Sequence, residues 1–244
     1  MPRHHCLTSW TRCGRIVHGS GNYAYRVTTI AAVLWDLDGT LVDTEPLWMA
    51  AERELAAEFG KAWTDQDGLN LVGRSLLDSG AHIKDHLQLA MEPAEVVDYL
   101  VSRMATAMSA HLDWRPGARD LIESVSRSGI PQALVTMSFR PLAEPVLDVI
   151  GDFKAVVTGD TVTHGKPHPE PYLCAAAQLG VDPAACVAIE DSPSGASSAE
   201  AAGCHVVVVP NYVAVAPSER RTFLTSLEGI GVQDLVRFSG LVMP

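Results

Sequence analysis

The chain has 244 residues, 47% hydrophobic and 19% charged, and this length and composition predict a globular protein with a sizeable core. Its formal net charge of −11 argues against a broad basic face that binds nucleic acid. No apolar run approaches the roughly 18 residues of a membrane-spanning helix, which argues against a membrane protein.

The first segment, residues 1–27, is rich in arginine, contains no acidic residue and shows neither helical nor strand periodicity. Its composition resembles that of a transit peptide, but we interpret it as a disordered or mis-started extension. The spacing of its histidines and cysteines does not match a tetrahedral metal site. The five cysteines of the chain are odd in number and include no zinc-type pair, which favours reduced thiols in a cytoplasmic protein.

The first predicted strand is a short apolar run that stops at Asp36. The following Leu37-Asp38-Gly39-Thr40 predicts a tight turn, so both carboxylates lie at the carboxyl end of a buried strand. One aspartate of such a pair can attack a phosphoryl or acyl centre while the other protonates the leaving group. The alternative for an isolated pair of this kind is helix capping.

A helix is predicted to start at Asp43-Thr44-Glu45-Pro46, and residues 47–112 show helical patterns without strand signals. We therefore expect a helical insert directly after the catalytic turn. Its segment Gly73-Arg74-Ser75 could face a substrate, although an arginine in a loop is usually only a solvated charge.

Beyond residue 113 the pattern alternates regularly between strands and helices. The predicted strands are 132–136, 155–158, 186–189 and 205–209, and the predicted helices are 118–128, 142–150, 171–179 and 194–202. With the first strand, this order predicts an α/β fold with a doubly wound parallel sheet of five strands, covered on both faces. Ligands of such sheets bind beyond the carboxyl ends of the strands.

Polar residues follow three of these later strands. Thr136 and Met137 begin a turn that suits phosphate binding through a hydroxyl and backbone N–H groups. Lys166 lies between Gly165 and Pro167, where a fixed ammonium could neutralise phosphate, although it could also be an exposed loop lysine. Glu190 and Asp191 suit Mg²⁺, with helix capping by Asp191 as the alternative.

In this order, Asp36-Leu37-Asp38-Gly39-Thr40, Thr136, Lys166 and Glu190-Asp191 resemble the four motifs of the haloacid dehalogenase-like phosphohydrolase superfamily. The resemblance implies a Rossmann-like core of residues 28–46 and 113–244 and a helical cap of residues 47–112. It implies that Asp36 is the nucleophile, that Asp38 is the general acid and base, and that Thr136, Met137 and Lys166 hold the phosphoryl group. It also implies Mg²⁺ bound by the Asp36 side chain, the Asp38 backbone carbonyl and Asp191, with Glu190 in support.

The segments 43–48 and 166–169 look like those of the subgroup that holds β-phosphoglucomutase and small sugar- or polyol-phosphate phosphatases. Mutases of this type carry a histidine where this chain has Trp48, and an arginine where it has Leu76, so a phosphatase is expected and a phosphomutase is the alternative. A non-catalytic metabolite-binding protein is a third hypothesis. We expect a small phosphorylated metabolite as the partner, contacted through Trp48 and the segment Gly73-Arg74-Ser75. We expect neither nucleic acid nor membrane as a partner, and a monomer with a dimer as the alternative.

Overall fold

The computed structural model describes residues 29–71 and 75–243. The predicted extension and the candidate substrate residues Gly73 and Arg74 lie outside these ranges. The strands are β1 Ala32–Trp35, β2 Gln132–Val135, β3 Ala155–Val157, β4 Cys186–Glu190, β5 His205–Val208 and β6 Arg221–Phe223. The helices are α1 Glu45–Glu58, α2 Asp65–Leu69, α3 Leu76–Leu87, α4 Pro93–Ala110, α5 Ala118–Ser128, α6 Arg140–Ile150, α7 Glu170–Leu179, α8 Pro193–Ala202 and α9 Val232–Ser239, with a 3-10 helix at Pro183–Ala185.

All six strands pair in parallel, in the order β3-β2-β1-β4-β5-β6. The predicted doubly wound α/β fold is confirmed, but the predicted number of five strands is wrong. The missed strand, β6, has only three residues and lies at the edge of the sheet with none of them buried. Because an edge strand pairs on one side only, it needs no apolar run and carried no strand signal.

Successive residues of β1 point to opposite faces of the sheet. Val33 and Trp35 pack into one hydrophobic cluster, whereas Ala32 and Leu34 pack into the other. All four side chains are fully buried, because helices cover both faces. This explains why the sequence of β1 is a continuous apolar run rather than an alternation of apolar and polar residues.

The inserted helices α1 to α4 have a hydrophobic cluster of their own, which includes Leu55, Ile83 and Leu100. Helix α4 also supplies Met104 and Met108 to the large cluster of the sheet domain, where α4 packs against α6. Helix α1 begins at Glu45, so the cap boundary expected at residue 47 falls inside a helix. Within the ranges that the structure describes, no helix is both long and apolar enough to cross a bilayer.

Candidate active site

The predicted site residues lie at the carboxyl edge of the sheet. β1 pairs with β2 on one side and with β4 on the other, so the strand order reverses at β1 and opens a crevice there. Asp36, Thr136 and Asp191 directly follow β1, β2 and β4. Lys166 lies in the loop between β3 and α7. Four distant segments therefore deliver polar side chains to one place.

Lys166 joins two carboxylates in a buried cluster. Its Nζ donates to Asp36 Oδ1 at 2.6 Å and to Glu190 Oε1 at 2.6 Å, and a third bond of 2.9 Å reaches the carbonyl oxygen of Val135. The side chains are 4% exposed for Lys166, 9% for Asp36 and 0% for Glu190. Three acceptors satisfy all three donors of the ammonium, which places one positive charge between two carboxylates.

Neutral donors hold the other sides of Glu190. The Tyr172 hydroxyl donates to Glu190 Oε1 at 2.5 Å, and Ser192 Oγ donates to Oε2 at 3.3 Å. Gly195, in the first turn of α8, makes room for this carboxylate, because a Cβ there would lie 2.0 Å from Oε1. Glu190 is thus engaged on both oxygens and fixes the position of the Lys166 ammonium beside Asp36.

Asp38 faces hydroxyl groups instead of the ammonium. Its Oδ1 accepts a hydrogen bond from Thr44 Oγ1 at 2.9 Å. Its Oδ2 accepts from Thr136 Oγ1 at 3.1 Å and from Ser138 Oγ at 2.7 Å. The two aspartates of the motif therefore have different surroundings, one beside a cation and the other among neutral donors. Such a difference can separate the roles of a nucleophile and a proton donor.

Asp191 is a further carboxylate that faces the same crevice. One oxygen each of Asp36, Glu190 and Asp191 lies within 4.8 Å of the others. Asp191 comes so close to the turn after β1 that a Cβ on Gly39, whose φ is +79°, would lie 2.1 Å from its Oδ2. Carboxylate oxygens are the donors that Mg²⁺ prefers, with water completing its shell. The donor set therefore fits Mg²⁺.

The cluster holds more negative charge than Lys166 neutralises. Burial raises the pKa of Asp36 to about 7, with added repulsion from Glu190 and an opposing attraction to Lys166. Burial, followed by the charges of Asp36 and Glu190, raises the pKa of Asp191 well above its ordinary value. Burial by itself would lower the pKa of Lys166, but the two carboxylates outweigh it and raise that pKa. A divalent cation would relieve this repulsion, which is a second reason why the residues fit one.

Comparison with known proteins decides the family. A sequence model described as haloacid dehalogenase-like hydrolase matches residues 30–203. The chain belongs to this family. The match contains all the site residues described above, from the turn after β1 to the start of α8.

Several relatives of this member of the haloacid dehalogenase-like family are phosphatases by name. Hexitol phosphatase B of Escherichia coli (strain K12) is 32% identical over 186 residues, which cover 74% of this chain and 84% of that protein. The bifunctional riboflavin kinase/FMN phosphatase of Arabidopsis thaliana is 34% identical over 188 residues. These residues cover 74% of this chain but only 48% of that protein, so this chain spans about half the length of the Arabidopsis protein. The crystal structure of CbbY from Rhodobacter sphaeroides in complex with phosphate has a TM-score of 0.76 at 29% identity, covering 85% of this chain and 99% of that one. These matches confirm the predicted family, subgroup and class of phosphatase-type hydrolase.

Not every predicted site residue of this haloacid dehalogenase-like hydrolase reaches the carboxylate cluster. Met137 lies under the Lys166 loop, where its Sδ accepts the backbone N–H of Lys166 at 3.2 Å. Trp48 is half-buried between the clusters of the insert and the sheet domain. Ser75 caps α3, since its Oγ accepts the N–H of Asp78 at 3.1 Å.

Several residues that contact the site were not among the predicted ones, including Ser192, which bonds Glu190. Thr44 and Ser138 bond Asp38, and Tyr172 bonds Glu190. Ser138 is a hydroxyl residue just after a predicted strand, and that position is a signal that could have found it. Thr44 lies at a predicted helix start, where a threonine ordinarily indicates only helix capping. Tyr172 lies on the buried face of α7, where an aromatic residue ordinarily indicates only core packing.

Proposed function

We propose that the protein is a Mg²⁺-dependent phosphomonoester hydrolase that acts on a small phosphorylated metabolite of the sugar or polyol class. The observation that carries the proposal is the pairing of buried Asp36 with Lys166, next to Asp191 and to Asp38 among hydroxyl donors. The name of the E. coli relative, hexitol phosphatase B, supports the substrate class.

In the proposed reaction, a carboxylate oxygen of Asp36 attacks phosphorus and the bond to the leaving oxygen breaks, which forms an aspartyl-phosphate. Asp38 donates a proton to the leaving oxygen and then takes one from the water that hydrolyses the intermediate. Lys166 and Thr136 hold the phosphoryl oxygens, with Met137 in the same turn. Bound at Asp36, Asp191 and the Asp38 backbone carbonyl, Mg²⁺ would supply positive charge that offsets repulsion of the phosphate dianion.

We further propose that residues 47–112 form a cap on the core of residues 28–46 and 113–244. Helix α1 leaves the same turn that carries Asp38, so movement of the insert can cover the crevice and exclude bulk water. The leaving group would then be selected by cap residues, for which Trp48 and the segment Gly73-Arg74-Ser75 are the candidates.

The test is a screen of sugar and polyol phosphates with the purified chain and Mg²⁺, read out as released phosphate. Asp36→Asn is the control, because it keeps the side-chain volume but removes the nucleophile. We expect phosphate release by the wild type, loss of release with EDTA or Asp36→Asn, and inhibition by Ca²⁺, whose looser shell would misplace the nucleophile. Isomerisation of a sugar phosphate in the presence of a bisphosphate would instead indicate a phosphomutase. Binding without either reaction would indicate a metabolite-binding protein.

We also propose a cytoplasmic monomer. Cys186 and Cys204 are buried thiols, which suits a reducing compartment. Cell fractionation and light scattering of the purified chain test location and oligomeric state, and a secreted or stably dimeric protein would contradict the proposal.

A further inference from the structure

A second group of metal-ligating side chains lies on the loop that carries Lys166. His164 and His168 are two residues to either side of this lysine, and Glu170 begins α7. One nitrogen of each histidine and one carboxylate oxygen of Glu170 lie within 4.8 Å of one another. The two imidazole rings are 4.7 Å apart between centroids. The group shares no residue with the active-site carboxylates.

Glu170 is a fixed anion at the base of this group. Its side chain is 5% exposed, and its oxygens accept the backbone N–H groups of Thr163 at 2.8 Å and His164 at 3.0 Å. Burial by itself would raise the pKa of Glu170, but these donors and the His164 ring hold it below its ordinary value. The carboxylate is therefore charged and held in one place.

The two histidines are exposed and can adjust around that anion. His164 Nδ1 lies 2.8 Å from Glu170 Oε2, and the His164 side chain is 62% exposed. Metal–nitrogen bonds of about 2.0–2.1 Å place the ligands of one ion about 3 Å apart, so this pair already has nearly the required separation. Bound metal would replace the proton that the two atoms share. His168 Nδ1 accepts only a 3.2 Å bond from the Glu170 N–H, which little restrains its ring.

We propose that His164, His168 and Glu170 form a second metal site, which binds a borderline transition-metal ion such as Zn²⁺. Two imidazoles and one carboxylate are a donor set typical of Zn²⁺, whereas Mg²⁺ prefers oxygen donors and keeps several waters. The two sites of the chain therefore select different ions.

The position of this second site couples it to Lys166. The turn between the two histidines is closed by the His168 N–H, which donates to the Gly165 carbonyl at 3.0 Å. Metal bound to both histidines constrains the loop on either side of Lys166, whose Nζ lies 2.6 Å from Asp36. Zn²⁺ at this site consequently lowers activity, a consequence that rests on the role proposed above for Lys166.

Binding is tested on the full chain saturated with Mg²⁺, by calorimetry with Zn²⁺ and by visible absorption with Co²⁺. The double variant His164→Gln/His168→Gln is compared with the wild type. A matched control, His82→Gln/His86→Gln, removes a stacked pair of histidines 6.0 Å apart on α3. The chain has 9 histidines, and some of them could bind Zn²⁺ elsewhere. The test is therefore the difference in Zn²⁺ binding between the variants, and not the total amount of Zn²⁺ that the wild type binds.

We expect the His164→Gln/His168→Gln variant to bind Zn²⁺ at least about tenfold more weakly at one site, while the control binds as the wild type does. The proposed site is wrong if that variant binds Zn²⁺ as tightly as the wild type does, or if only the control loses Zn²⁺ binding. The single variant His164→Ala, at an exposed position, gives the same decision if the double variant has a lowered melting temperature.

Activity then tests the coupling. With Mg²⁺ in excess, Zn²⁺ should inhibit the wild type and the α3 control more strongly than the His164→Gln/His168→Gln variant. Equal inhibition of all three overturns the coupling but leaves the binding result intact. A wild type that binds Zn²⁺ and releases no phosphate from any substrate would contradict the proposed function and not the metal site.

Discussion

The sheet edge and the helical insert each bury a glutamate, but the two carboxylates have different partners. At the sheet edge, Glu190 accepts hydrogen bonds from the Lys166 ammonium and the Tyr172 hydroxyl. In the insert, Glu52 is 5% exposed and accepts a hydrogen bond of 2.9 Å from the indole Nε1 of Trp63. Burial raises the pKa of Glu52 to about 7, and the Trp63 bond opposes this only in part.

The difference reflects what each region does. A site that stabilises a phosphoryl group needs a permanent cation, and a buried cation in turn needs carboxylates around it. The hydrophobic core of the insert imposes no such requirement, so its buried glutamate can carry a proton near neutral pH. Removing the charged group of Lys166 should therefore strongly reduce the stability of the protein. Removing the ionisable group of Glu52 should have a small or even stabilising effect.

Lys166→Met should have the largest effect, because it leaves Asp36 and Glu190 buried without their cation. We expect a loss of about 3–5 kcal/mol in the free energy of unfolding, measured by urea denaturation without Mg²⁺ at pH 8. Lys154→Met is the matched control. Lys154 pairs with Asp152 at 2.6 Å but its side chain is 63% exposed, so we expect less than about 1 kcal/mol. Equal losses for the two variants would contradict the argument.

Asp38→Asn should reduce phosphate release by about 10²–10⁴-fold for alkyl phosphates, because their alkoxide leaving groups need a proton. p-Nitrophenyl phosphate has a much better leaving group, so its kcat/KM, which reports the transfer of the phosphoryl group to Asp36, should fall less. The measurement is kcat/KM for both substrates. Losses of the same size would show that Asp38 does not act as the acid.

Glu52→Gln should change how stability depends on pH. The pKa of Glu52 rises from 4.5 to about 7 on folding, so its contribution is fully present below about pH 4.5 and is lost as pH rises through 7. The free energy of unfolding of the variant should therefore fall less between pH 4.5 and pH 8 than that of the wild type. At pH 8 the variant should be more stable than the wild type by up to about 3 kcal/mol. Urea denaturation from pH 4 to 8 measures it.

The control for this measurement is Glu54→Gln, on the exposed side of α1, where Glu54 faces Arg103 at 3.4 Å. Its stability should follow the wild-type pH profile. A Glu52→Gln variant with that same profile would show that Glu52 does not bind an extra proton in the folded state.

Trp48→Ala should have the smallest effect on chemistry and should act on selectivity. We expect kcat/KM to change by unequal factors of up to about tenfold among sugar and polyol phosphates, which is the lower end, about 1 kcal/mol, of what one pocket contact is worth. p-Nitrophenyl phosphate offers little for the insert to contact and should change less. A uniform decrease across all substrates would indicate that Trp48 is only a packing residue.

The sequence by itself was enough to predict the parallel α/β sheet and to place the main candidate site residues at its carboxyl edge. Apolar runs report buried strands, and a polar residue directly after such a run lies at the carboxyl edge of the sheet. Asp36, Thr136 and Asp191 follow from this rule without knowledge of any contact. It also predicted that the insert is helical, because residues 47–112 show helical patterns without strand signals.

Only the tertiary structure decided how these side chains are paired. The bond from Lys166 to Asp36 joins residues 130 positions apart, and the bond from Ser138 to Asp38 joins residues 100 positions apart. Such contacts depend on strand register and loop conformation, which local patterns do not contain. Edge strand β6 and the capping role of Ser75 escaped prediction for the same reason, because each depends on a neighbour that folding supplies. The local sequence indicates the hydrophobic periodicity of each strand and helix and the position of each turn. The hydrogen-bond partner of each polar group depends instead on tertiary packing.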